Sequence, residues 1–288
     1  MLRLCRVLWS SLLILVFAST PALADRAHDL AQKAQEIRPE GCKSVGTSKA
    51  CHANYPAGCS KGSNPSYDAY LNFLKNQLPE PELSAQVVRV LRAQEFEALE
   101  GKTPDALSAR NHADHAEALA DLGEGNIYAV IGYLYYAKVS PDVGAKTGET
   151  SNCQLIGEKN SDYHIGVGFD PDLAEKLRQG VKVGRKLLQQ TSVIVEMTPH
   201  YRARYHPIWN IQHVVRVVGR QVKVIGQLML DNEHVIPAQN CGHTRANQRT
   251  CWRKSAWEIH PVIEFHVCAA ETPCSADSSD WRPLAQIE

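Results

Sequence analysis

Between residues 162 and 169 the chain alternates without a break. Tyr163, Ile165, Val167 and Phe169 fall on one face, with Asp162, His164, Gly166 and Gly168 on the other. A period of two is that of a strand with one buried side. Four further runs read as strands. Residues 127–139 follow the Gly123-Glu124-Gly125 turn, residues 192–198 stop at Pro199, and residues 221–231 and 256–268 complete the set. The last would place Trp257, Ile259, Ile263, Phe265 and Val267 inside, and Glu258, His260, Glu264 and His266 outside. Between the third and fourth strands, residues 201–217 have a helical pattern, with Trp209, His213, Val214 and Val217 on one side.

Five strands with a helix between the third and fourth follow the order of the OB-fold, a small, partly open or closed barrel. A sandwich would need more strands at shorter spacing. The expected class is therefore α+β: a five-stranded OB-like β-barrel over residues 123–270, with a tail at 271–288. A helical, cysteine-containing region at 25–122 precedes it. In that region helical patterns cover 26–37, 67–76, the end of 86–100, and 112–122, and Thr103-Pro104 reads as a helix start. Residues 39–66 are rich in Gly, Ser, Lys and Asn and hold three cysteines, which predicts a stapled loop. No linker separates the two parts, so the first is expected to wrap the second.

Arg3 and Arg6 lead into the apolar run 7–17, which is too short to span a bilayer, and Ala22 and Ala24 then fit a cleavage site. Residues 1–24 thus read as a signal peptide, giving a secreted or periplasmic protein with no stable membrane insertion after cleavage. Lys+Arg and Asp+Glu each number 31. Losing Arg3 and Arg6 takes the formal charge from 0 to −2, so no global field gathers nucleic acid or anionic membrane. Of nine cysteines, eight lie beyond Cys5. An even number in an exported chain favours disulfides, with Cys241–Cys251 and Cys268–Cys274 the attractive short pairs. Zinc is the rival reading, but there is no C-x-x-C.

Residues two apart on a strand share a face. Asp162 and His164, Glu196 and Thr198, and Glu258 and His260 therefore point the same way on three neighbouring strands, away from the barrel core. Asp231 and His234 lie at the rim of the fourth. A solvated strand face is polar in any case. Carboxylates beside imidazoles, however, are what a divalent metal or an acid/base pair needs. Arg202, Arg204 and Arg253 lie close in sequence, and arginine holds phosphate in a bidentate fork. His112 and His115, three apart on a helix with no third candidate, read as surface or packing residues. No phosphate-binding glycine loop or G-x-S-x-G occurs.

Asp162-Tyr-His164-Ile, Val195-Glu-Met-Thr-Pro199, Gly226-Gln-Leu-Met-Leu-Asp231-Asn-Glu-His234 and Trp257-Glu-Ile-His-Pro-Val262, together with Gly148-Glu-Thr-Ser-Asn-Cys153, resemble the motif set of an uncharacterised family of exported bacterial proteins. The resemblance covers about residues 123–268. It implies an OB-like fold and a preserved polar face, without assigning a reaction. Thermonuclease-type enzymes also set metal carboxylates and arginines on an OB barrel, a parallel at the level of fold alone.

The expectation drawn from these residues is a metal-dependent phosphodiesterase, nuclease-like, acting on nucleic acid from the outer barrel face. Glu196, Glu258 and His260 would be catalytic. Asp162, His164, Asp231 and His234 would bind a divalent metal ion, and Arg202, Arg204 and Arg253 would hold phosphate. The alternative is a non-catalytic OB-fold module binding nucleic acid, glycan or an envelope protein. The outward positions of the second and third strands carry no aromatic residue, which counts against base stacking.

Overall fold

The computed structural model describes residues 26–287 other than positions 44, 64 and 143; the expected signal peptide lies outside them. The protein is a mixed α+β structure. Its first part contains α1 (Arg26–Ala31), α2 (Ser48–Asn54), α3 (Ala69–Lys75), β1 (Val90–Leu91), α4 (Ala93–Glu100) and α5 (Ala116–Asp121). Then come β2 (Ile127–Ser140), β3 (Asp162–Gly168), α6 (Pro171–Arg178), α7 (Arg185–Gln190), β4 (Ser192–Met197), α8 (Pro199–Tyr205), α9 (Ile211–Val215), β5 (Gln221–Leu230), β6 (Trp257–Cys268) and β7 (Trp281–Pro283).

Strands β2, β3, β4, β6 and β5 follow one another in space, and β5 returns to pair with β2, so the five form a ring. Its pairings are antiparallel except β4 with β6, which is parallel. β1 adds to β2, and β7 to β6. The ring encloses the largest core cluster: Tyr163, Ile165 and Val167 meet Val193, Val195 and Met197, with Ile259, Phe265, Val224 and Leu228 across from them. Each such side chain stabilises the fold by about 1.5–3 kcal/mol on burial. On the other face of β3 the alternation yields Gly166 and Gly168 because tyrosines of β2 cross there. A Cβ on Gly168 would lie 1.8 Å from the Tyr135 ring, and one on Gly166 would lie 2.2 Å from that of Tyr136.

Three local expectations change. Ile263 is not in the ring core: the β5–β6 register slips around Gly226, leaving Val262 inward and Ile263 packed outside with Tyr201 and Ile225. The helix expected over 201–217 is two helices, because Pro207 cannot donate within a continuous helix. The stapled stretch 39–66 contains α2, whose N-terminus Thr47 caps by accepting from the Ala50 N–H.

All eight cysteines beyond Cys5 are paired, leaving no thiolate for zinc. Cys241–Cys251 and Cys268–Cys274 pair as expected; the others are Cys42–Cys59 and Cys51–Cys153. Four disulfides indicate an oxidising environment. Among the described residues no helix is long and apolar enough to cross a membrane.

Candidate functional site

The β3–β4 register sets His164 opposite Glu196, and the short parallel contact pairs Val195 with Ile259, so Glu196 and His260 are neighbours. Strand alternation thus brings Asp162, His164, Glu196, Glu258 and His260 to one side of the ring, away from the core. That side is not a solvent face. Asp162 and Glu196 are 1% exposed, and Glu258 and His260 are wholly buried. The reason is the first part of the chain. Lys75, at the end of α3, reaches Asp231 at 3.4 Å, and the carbonyl of Leu74 accepts from the Gln227 side chain at 3.0 Å. The segment 148–153 closes the remainder. Asn152 Nδ2 donates to Asp162 Oδ2 at 2.7 Å, and Asn72 and Asn76 of the α3 end bond to Thr150 and Ser151. Cys51–Cys153 ties this segment to α2.

A chain of contacts runs through the buried layer. Asp231 lies 3.4 Å from Arg253, whose other terminal nitrogen donates to Glu258 at 2.8 Å. Glu258 Oε1 is 3.1 Å from His260 Nδ1, which is 3.4 Å from Glu196 Oε2. Glu196 Oε1 is 2.8 Å from His164 Nε2, and Glu149 follows at 3.8 Å. The chain meets solvent at this end: the His164 side chain is 14% exposed and that of Glu149 27%. His260 Nδ1 thus faces two carboxylates, and its Nε2 has no hydrogen-bond partner.

Asp162, Glu196 and His260 can each offer a ligand atom, all within 4.8 Å of one another. Asp162 Oδ1, Glu196 Oε2 and His260 Nε2 are buried without a hydrogen-bond partner, as are Asn152 Oδ1 and Gln227 Oε1. The oxygens among these atoms are acceptors, and an unpaired buried acceptor costs about 1–3 kcal/mol. A group of them calls for a positive charge or donors among them. Protons meet part of that demand: burial, then Glu258 and Glu149, push Glu196 up to about 8. Burial, then Glu149 and Glu196, push Asp162 well above the carboxylate range. Glu258 moves the other way. Burial and Asp231 raise it, and Arg253 with the hydrogen bond from His260 outweighs them.

The other sequence candidates are engaged elsewhere. Arg202 donates to the carbonyls of Met197, Glu158 and Ser161 and stacks 3.5 Å over the Tyr163 ring, so it braces α8 against β3. Arg204 is on the surface, 3.8 Å from Glu80. Arg253 is wholly buried between two carboxylates, hydrogen-bonded to Glu258 and in ion-pair contact with Asp231, with Nε and Nη1 lacking hydrogen-bond partners. Asp231 and His234 lie at the Lys75 end, where His234 Nε2 is 3.7 Å from Asp231. Sequence reasoning missed Lys75, Glu149 and Asn152. The last two lie in the Gly148–Cys153 motif, which was the available signal.

His112 was also underread. It is wholly buried, with Nε2 2.8 Å from Glu124 Oε2 and Nδ1 3.0 Å from Asn232 Oδ1. The Asn232 amide nitrogen is used on Asp68 and Ser108, so its oxygen faces the ring, and both ring nitrogens must donate. His112 is an imidazolium. Burial alone would depress its pKa; Glu124, Asn232 and Asp68 outweigh it and raise it to about 9. Its contribution is full below the unfolded value near 6.5 and is lost as pH rises through about 9, a loss of about 3 kcal/mol. Urea unfolding between about pH 6 and about pH 9.5 is expected to show that loss in the wild type. The loss should shrink in His112→Gln, with the difference between the two proteins assigning it to this ring.

Compared with models of protein families, with curated proteins and with solved structures, the chain has no significant match.

Proposed function

We propose that this chain is an exported protein with an OB-like barrel that holds one divalent metal ion between Asp162, Glu196 and His260. The observation that supports this is the convergence of unpaired buried acceptors from three strands of the ring. Two carboxylates and an imidazole suit Mn²⁺, Zn²⁺ or Fe²⁺. Glu258, accepting from the far nitrogen of His260, is the outer partner that histidine ligands commonly have. The ion would offset the carboxylates that Lys75 and Arg253 do not, and would join the ring to the 148–153 segment through Asn152 and Asp162. Its role in this reading is to clamp a closed structure.

The test is metal content and thermal unfolding of protein recovered from an oxidising compartment. About one equivalent of metal is expected. After chelation, refilling to a hundred times the dissociation constant adds about 2.7 kcal/mol, a rise of about 5–10 °C for a chain of this size. Glu196→Gln and Asp162→Asn should remove the rise. A wild type that binds no divalent ion and shows no rise overturns the proposal.

The second reading is metal-dependent hydrolysis, favoured by the His164–Glu196 contact at the solvent edge. Asp162, Glu196, Glu258 and His260 would then act on a substrate small enough to enter beside Glu149. A nuclease needs arginine free for phosphate, and Arg202, Arg204 and Arg253 are engaged. Metal-dependent cleavage of a small aryl phosphodiester, lost in His164→Ala, would support hydrolysis; cleavage of plasmid DNA or RNA would restore the nucleic-acid substrate.

A further inference from the structure

A second site lies away from the buried layer. Where α9 turns into β5, the chain passes against the side of α6 and beside the loop between Cys268 and Cys274. The three enclose a cleft of about 590 Å³, within the size range of small-molecule sites. Pro171, Ala174, Glu175 and Arg178 form one side, following the i, i+3, i+4, i+7 face of α6. Tyr133 and Val218 supply apolar surface, and Arg216 and Arg220 project from the turn.

The walls are fixed. Gly219 has φ +82° and stands so close to α6 that a Cβ would lie 2.6 Å from the Arg178 amide nitrogen. Its own N–H donates to the Leu134 carbonyl at 2.8 Å, and the carbonyl of Arg220 accepts from the Leu134 N–H at 3.0 Å. Gln221 bonds both backbone groups of Cys274, and the disulfide closes the loop behind it. Arg220 gives one terminal nitrogen to the Cys268 carbonyl at 3.0 Å, which aims the guanidinium while leaving donors over. Arg178 is occupied by Glu175. Among the described residues, Arg216 and Arg220 have no carboxylate within ion-pair distance. Glu271 also lines the cleft, so its charge is mixed and selects for size and geometry.

We propose that this cleft binds a small phosphate monoester, the phosphate held by Arg216 and Arg220 and its apolar body resting against Tyr133 and Val218. Two guanidiniums match phosphate oxygens in a way that ammonium groups do not. A concave floor with a partly apolar lining favours a compact ligand over a polymer backbone. The cleft is independent of the metal proposal. Gln221 opens β5, and Gln227, which holds the His260 carbonyl, is six residues along the strand, about 20 Å away.

Phenyl phosphate and inorganic phosphate, titrated into the mature disulfide-bonded protein by calorimetry, test this. Phenyl phosphate is expected to bind saturably and about tenfold more tightly than inorganic phosphate, a difference of about 1.4 kcal/mol. Arg216→Gln, an exposed substitution that leaves the fold intact, should weaken it about tenfold, and Arg216→Lys should restore only part. Metal content should be unchanged in both. No saturable binding at millimolar phenyl phosphate overturns the proposal. So does binding that Arg216→Gln leaves intact, or equal affinity for the two probes.

Discussion

Arg253→Met is expected to cost about 3–5 kcal/mol of folding stability, because it strands Glu258 in the interior and leaves Asp231 with Lys75 alone. Arg253 is wholly buried, 2.8 Å from one carboxylate and 3.4 Å from the other. Lys75 remains for Asp231, so the penalty falls first on Glu258. Urea denaturation measures it. The double variant Arg253→Met/Glu258→Gln should recover part of the loss, since the stranded charge is gone, and the double-mutant cycle then gives the coupling of the pair. A loss below about 1 kcal/mol would mean that Glu258 takes up a proton at little cost and that the arginine does not hold the layer together.

Loss of Cys51–Cys153, as a Cys51→Ser/Cys153→Ser pair, is expected to be of similar size. The bridge spans 102 residues, and a loop of that length corresponds to about 4.7 kcal/mol in the chain-entropy account. The 10-residue separation of Cys241–Cys251 corresponds to about 2.7 kcal/mol. Local contacts add to the difference. Asn152, adjacent to Cys153, is the Asp162 partner, and the 148–153 segment also carries Glu149. The unfolding midpoint of the Cys51/Cys153 variant should therefore fall further than that of a Cys241/Cys251 variant; under the proposed function, affinity for the divalent ion should fall with it. Equal midpoints would show that the longer loop adds nothing over the shorter one.

The ring strands were legible because each is a β-rich run bounded by turn residues or proline and one, β3, alternates strictly; the slip around Gly226 that turns Ile263 outward has no such signal. Asp162, Glu196 and His260 were legible as a group because spacing of two on neighbouring strands leaves them one direction to point. Their burial was not legible. The residues that cover them, Lys75, Asn72 and Asn76, come from far upstream, and a strand's period says nothing of what lies beyond its polar face. Helices α6 and α7 escaped notice because residues 171–190 are mostly polar, with Leu173, Ala174 and Leu188 the buried side chains. His112 reads from the sequence as a surface or packing residue, and nothing near it in the chain signals a charge. The residues that fix its charge, Glu124 and Asn232, are 12 and 120 positions away.

The crossing of two disulfides bears on how the chain must mature. Along the chain the order is Cys42, Cys51, Cys59 and Cys153, and the first two are not partners: Cys42 belongs to Cys59, and Cys51 to Cys153. An oxidant that joins thiols as they emerge would make Cys42–Cys51 and leave Cys59 to find Cys153. Reaching the native pairs then requires thiolate attack on a finished bond, an exchange reaction that runs through a mixed disulfide. Forming the native pairs is therefore expected to be faster where disulfide exchange is catalysed as well as oxidation, and refolding yield should rise with the supply of an exchange catalyst.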